Sequence, residues 1–147
     1  YPHADITALD LTPAMVERAA QLCKGTNIAL QCRPFSSHDD FCAQFDLVMS
    51  GFVVCHLGNA AEVATFFKDV SHCLRPGGQT LHIVPPSPGE EGSAMRIKLA
   101  EGLILHDYQW STHTLLQAAR DAGLVDVTAV PASAADQADA SVRQLEA

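Results

Sequence analysis

At 147 residues, with 48% apolar and 18% charged side chains, the sequence has the composition of a folded domain, which excludes a disordered chain. Nine Lys/Arg against seventeen Asp/Glu give a net charge of −8 with the basic residues scattered, so a phosphate backbone would be repelled and nucleic acid is not an expected partner. No apolar run approaches the roughly 18–20 residues that span a bilayer, so no membrane association is expected; five cysteines without CxxC spacing read as buried thiols of a cytoplasmic protein.

The first apolar run, Ala4–Leu11, reads as a short strand closing on Asp10. Thr12 then caps a helix with Pro13 at its first position, where the missing N–H is harmless. Met15, Val16, Ala19, Ala20 and Cys23 repeat at helical spacing until Gly25 stops the run. Ile28–Cys32 is a second strand, followed by a polar loop over Ser36–Asp40. Phe45–Ser50 is a nearly continuous apolar run, as in a strand covered on both faces.

Asn59, with Glu62 three residues on, forms a capping box for the next helix. Its apolar stripe is Val63, Phe66, Phe67, Val70 and Leu74, and Pro76–Gly77–Gly78 is expected to end it. Gln79–Val84 reads as a strand and Pro85–Gly92 as a loop. Ser93–His106 is expected to be helical, with Gly102 as its weak point. Ser111 or Thr112 starts another helix carrying Leu115, Leu116, Ala119 and Ala122, stopped by Gly123. Asp126–Val130 is expected to be a last strand, and the alanine-rich tail from Ser133 a helix.

Alternating strands and helices imply a single α/β domain over residues 1–147, with a doubly wound, mostly parallel sheet. In such folds a carboxylate at a strand end accepts hydrogen bonds from the two vicinal ribose hydroxyls. Asp10 is placed for that role, or for flanking the positive end of the helix that follows it. A glycine-rich loop normally precedes this carboxylate by about 20 residues. Only nine residues precede Asp10 here, none of them glycine. The expectation is therefore an N-terminally incomplete fold, either a fragment or a chain completed by another copy or a partner.

Four passages together resemble the class I S-adenosylmethionine-dependent methyltransferases. They are Asp10 with the LTPAM that follows it, FDLVMSGFVVCHL (Phe45–Leu57), LRPGGQTLHIV (Leu74–Val84) and LLQAARDAGLVDVTAV (Leu115–Val130). The resemblance implies a Rossmann-like fold, S-adenosylmethionine as cofactor, and a small-molecule acceptor. It places Asp10 on the cofactor ribose, Leu11 and Met15 near the adenine and ribose, and Phe35 at the adenine border. Ser50, Gly51 and Phe52 would lie by the methionine portion. Arg33 stands where the family often has an acidic residue; a guanidinium can stack on the adenine but cannot accept from its amino group.

His56, just beyond the third strand, is the candidate catalytic base, since its charge changes near neutral pH. A loop histidine bonded to backbone is the other reading. No histidine shows metal-ligand spacing such as HExxH, so no metal is expected. Tyr108 and Trp110 would either cover an acceptor or pack a connection between helices. The reaction implied is methyl transfer to a small molecule. The alternatives are a cyclase or isomerase on the same fold, or a non-catalytic subunit pairing through its sheet edges.

Overall fold

A computed structural model describes residues 3–35, 41–85, 89–100 and 103–131. Among the described residues, six strands and three helices follow one another: β1 (Ile6–Asp10), α1 (Pro13–Leu22), β2 (Ile28–Cys32), β3 (Phe45–Gly51), α2 (Ala60–Cys73), β4 (Leu74–Ile83), β5 (Ala94–Ala100), β6 (Leu103–Tyr108) and α3 (Thr112–Asp121). A 3-10 turn, Val54–His56, lies between β3 and α2. The described strands pair as three two-stranded sheets, β1–β2, β3–β4 and β5–β6. The chain divides into two compact units, residues 1–48 with 72–81, and residues 49–71 with 82–147.

In the first unit β1 and β2 run parallel, in register from Ile6 opposite Ile28 to Asp10 opposite Cys32. Both strands thus end side by side. α1 turns Val16 and Ala19, with Cys23 just past its end, inward and half-buried, and leaves Met15 and Ala20 exposed. Thr12 sits at the N-cap without a side-chain bond. Its own N–H instead donates to Asp10 Oδ1 at 2.7 Å, so the carboxylate ties strand end to helix start. Phe41 and Leu74 supply buried apolar side chains, and Arg75 makes a two-pronged bond to Asp46 at 2.9 and 2.8 Å.

The core of the second unit is the inner stripe of α2, Val63, Phe66, Phe67 and Val70, with Val54, Trp110 and Ala119. The helix starts as its capping box dictates. Glu62 N–H donates to Asn59 Oδ1 at 3.0 Å, while the Glu62 carboxylate accepts from Gly58 N–H and from the Asn59 side chain, both at 2.7 Å. Ser111 caps α3, accepting from Thr114 N–H at 3.1 Å. Gly123 closes that helix at φ +89° with its N–H on the Arg120 carbonyl.

Four expectations are corrected. Ser93–His106 is not a helix: β5 and β6 form an antiparallel hairpin, pairing Ala94 with Tyr108 through Ala100 with Leu103. Along β5, half-buried Met95 and Ile97 alternate with exposed Arg96 and Lys98, the two-residue period of a strand. Asp126–Val130 is not a strand; Val125 and Val130 are exposed, and no described strand pairs with the segment. A strand exists only where a neighbour takes its backbone groups.

The RPGG passage does not separate helix from strand, because α2 ends at Cys73 and β4 begins at Leu74. Gly78 is needed there: a Cβ would meet the Arg75 and Phe45 carbonyl oxygens at 3.0 and 3.1 Å. Nor are the cysteines uniformly buried: Cys55 and Cys73 are, but Cys32 and Cys42 are exposed. The tail from Ser133 and the whole of the Ser36–Asp40 loop lie outside the described residues.

Candidate functional site

The expected site residues fall into two groups, one in each unit. In the first, the paired ends of β1 and β2 bring Asp10, Leu11 and Met15 to the strand ends where Arg33 and Phe35 follow Cys32. The carboxyl ends of parallel strands are where α/β folds bind ligands. Asp10 is exposed and oriented by its bond from Thr12, which occupies Oδ1. Leu11 and Met15 are 69% and 52% exposed, apolar surface that a flat ring can cover. Arg33 is engaged within the protein: its Nε donates to Gln31 Oε1 at 2.7 Å and its guanidinium lies 4.5 Å over the Phe41 ring. Phe35 is half-buried.

In the second unit the chain leaves β3 through Ser50 and Gly51 and turns sharply at Phe52. Phe52 has φ +57°, a left-handed conformation costly for a residue with a Cβ. Its N–H donates to the Ile83 carbonyl at 2.9 Å, and its carbonyl accepts from the Cys55 thiol at 3.0 Å. These bonds hold the turn and leave the Phe52 ring exposed. Ser50 Oγ lies 2.7 Å from His82 Nδ1, and the His82 ring stands edge-on to Phe66 and Phe67, each with centroids 5.3 Å away. Burial pushes the His82 pKa down from 6.5 to about 4, so the ring is neutral at pH 7.

The turn after Phe52 carries Cys55, buried, and His56, half exposed. His56 Nδ1 faces Asp107 of β6, 3.1 Å from Oδ1. Asp107 is a buried charged residue, and its Oδ1 accepts no hydrogen bond within the described residues. Cys55 sits beside the same carboxylate; burial and then the Asp107 charge push its thiol up to about 11.

The sequence points to His56 but not to Asp107, because the expected helix over Ser93–His106 gives the residue after it no place beside His56. The alternation Met95–Arg96–Ile97–Lys98 was the available signal for a hairpin, which turns Asp107 toward the 3-10 turn. Tyr108 and Trp110 also follow from that hairpin. Trp110 is buried and donates Nε1–H to the Leu57 carbonyl at 3.0 Å. The Tyr108 ring lies so close to Gly58 that a Cβ there would meet it at 3.3 Å. Both aromatics pack the entry to α2.

The methyltransferase-domain family model matches residues 1–78, and the chain belongs to that family. No curated protein sequence matches it significantly. Among solved structures, it is similar to an S-adenosylmethionine-dependent methyltransferase from Mesorhizobium loti, with TM-score 0.66 and 19% identity over 97% of this chain and 74% of that one. It is similar to a sugar N-methyltransferase from Streptoalloteichus, with TM-score 0.61 and 16% identity over 80% of this chain and 62% of that one. A third is the 1,6-didemethyltoxoflavin-N1-methyltransferase of Burkholderia thailandensis, solved with its acceptor and S-adenosylhomocysteine, with TM-score 0.56 and 22% identity over 86% and 54%. The fold is that of the Rossmann-like methyltransferases. The chain spans about half to three quarters of the length of these proteins.

Proposed function

We propose that the chain is the greater part of an S-adenosylmethionine-dependent methyltransferase acting on a small molecule. The observation that carries this reading is Asp10: an exposed carboxylate at the paired ends of two parallel strands, oriented by Thr12 N–H and flanked by exposed Leu11 and Met15. Such a carboxylate fits a pair of ribose hydroxyls, and the two apolar side chains fit the adenine beside them. Arg33 and Phe35 would border that ring, Arg33 from its place over Phe41. Ser50, Gly51 and Phe52, at the end of β3, would meet the methionine portion.

When bound, the cofactor supplies an activated methyl group on a sulfonium, so the protein has chiefly to position an acceptor in line with it. His56 serves as the acceptor's base. With its Nδ1–H toward Asp107, the half-exposed ring presents the Nε2 lone pair outward, able to take a proton from a hydroxyl or amine. The charge of −8 favours a neutral or cationic acceptor. No helix among the described residues is long and apolar enough to cross a membrane. We place the protein in the cytoplasm, where its five cysteines would stay reduced. A second copy or a partner chain would pair with its sheet edges.

Calorimetric titration of S-adenosylhomocysteine into the wild-type chain and Asp10→Ala tests the reading. Loss of a charge-assisted bond pair should weaken binding by about 1.5–3 kcal/mol, or roughly 10- to 150-fold. Equal affinity for the two proteins would remove Asp10 from the ribose, and no binding to a folded wild-type chain would overturn the reading itself.

A further inference from the structure

Beside the base assigned above lies an arrangement that role does not use. Cys55 Sγ, His56 Nδ1 and an Asp107 carboxylate oxygen all lie within 4.8 Å of one another. Two come from the 3-10 turn and the third from β6, so the turn and the hairpin together bring thiol, imidazole and carboxylate to one point. The Asp107 side chain is 10% exposed, and its Oδ1, 3.1 Å from His56 Nδ1, accepts no hydrogen bond within the described residues. The desolvation cost of this buried carboxylate is offset only by the His56 ring 3.1 Å away and by the adjoining Cys55 thiol. A cation between the three groups would remove that cost.

We propose that Cys55, His56 and Asp107 form a mononuclear site for a divalent transition metal of the zinc type. A thiolate donor disfavours magnesium and calcium, and a sulfur, nitrogen and oxygen set suits zinc. Tetrahedral zinc, with Zn–N and Zn–O about 2.0–2.2 Å and Zn–S about 2.3 Å, sets its ligands roughly 3.3–3.7 Å apart. The His56–Asp107 pair, at 3.1 Å, already has nearly this spacing, and Cys55 Sγ, within 4.8 Å of both, has at most about 1 Å to approach. His56 is the exposed member, 52% accessible at its side chain, and supplies the entrance. Three protein ligands leave a fourth position to water.

Binding is balanced by proton loss. The Cys55 thiol gives its proton to solvent and its bond to the Phe52 carbonyl is released. The neutral imidazole binds through Nδ1, so its ring proton sits on Nε2. A loaded site therefore takes away the lone pair that the base role uses. Metal occupancy and proton abstraction by His56 exclude each other, which makes the metal an inhibitor of methyl transfer; that consequence alone rests on the function proposed above.

Titrating the metal-free chain with Co2+ and following its absorbance tests the site without reference to turnover. One equivalent should produce a thiolate-to-cobalt charge-transfer band and tetrahedral d–d bands, both abolished by Zn2+ displacement. Cys55→Ser should lose the charge-transfer band, and Asp107→Asn and His56→Ala should each weaken binding tenfold or more. His56 is exposed, so His56→Ala keeps the test usable if a buried variant misfolds. Absence of the thiolate band in the wild type, or unchanged affinity in folded His56→Ala, overturns the proposal. S-adenosylhomocysteine affinity measured on the same samples separates the readings: a chain that binds cobalt through Cys55 but not that ligand keeps its metal site and loses the methyltransferase assignment.

Discussion

At Phe52 the backbone takes a conformation that its side chain does not favour, and two hydrogen bonds keep it there. A residue held at φ +57° gains from glycine and gains nothing from alanine, which keeps the Cβ. Phe52→Gly should therefore be more stable than Phe52→Ala by about 1 kcal/mol, the reverse of their usual order within helices and strands. Urea midpoints of the two variants check this, and a more stable alanine variant would show that the turn carries no strain. If the exposed ring covers the methionine end of the cofactor, both variants should bind S-adenosylhomocysteine on the order of tenfold more weakly than wild type. The strained position was invisible in the sequence, because FVVCHL contains none of the usual turn residues. His56 stood out as an ionisable group after an apolar strand, whereas its neighbour Asp107 arrives only through the hairpin.

At the scale of elements, what was legible is what short-range chemistry decides. Asn59 and Glu62 announce the start of α2 three residues apart; Glu62 N–H bonds Asn59 Oδ1 as in a capping box, while the Glu62 carboxylate takes the Gly58 N–H and the Asn59 side-chain amide. Asn59→Ala removes the acceptor of Glu62 N–H and should cost about 1 kcal/mol, lowering Tm by roughly 3–6 °C. Glu62→Ala should cost less than Asn59→Ala, and the double variant less than the sum, because both residues serve one bonded ring. Differential scanning calorimetry of the three proteins decides it; strict additivity would mean the box does not act as a unit. Ile28–Cys32 likewise has its expected bounds, since only eight residues, Thr26–Arg33, lie between Gly25 and Pro34 and the polar Thr26, Asn27 and Arg33 flank the apolar stretch. The hairpin was misread for the opposite reason. Over Ser93–His106 only Gly102 speaks against a helix as a local signal, and the cross-strand ladder, pairing residues on the two sides of it, selects the extended form.

At the scale of the whole molecule, folding buries an imidazole in its neutral state, and stability must then depend on pH. His82 lies between Phe66 and Phe67 with Ser50 at its Nδ1, and burial lowers its pKa from 6.5 to about 4. Between those values the unfolded chain binds a proton that the folded chain refuses. Stability therefore rises with pH across this window and is lost as pH falls from about 6.5 toward 4. The full shift corresponds to at most about 3 kcal/mol, and solvent reaching the partly open ring reduces it. Urea midpoints between pH 7 and pH 4.5 should fall for the wild type more steeply than for His82→Gln, which has no proton to refuse. His82→Gln should be the less stable protein at pH 7, having lost the two edge-on ring contacts, and the gap should narrow as the pH drops. The carboxylates contribute equally to both proteins and cancel in the comparison. Parallel curves for the two proteins would mean that His82 takes up its proton in the folded state as readily as in the unfolded one, and that the aromatic box around it opens to water.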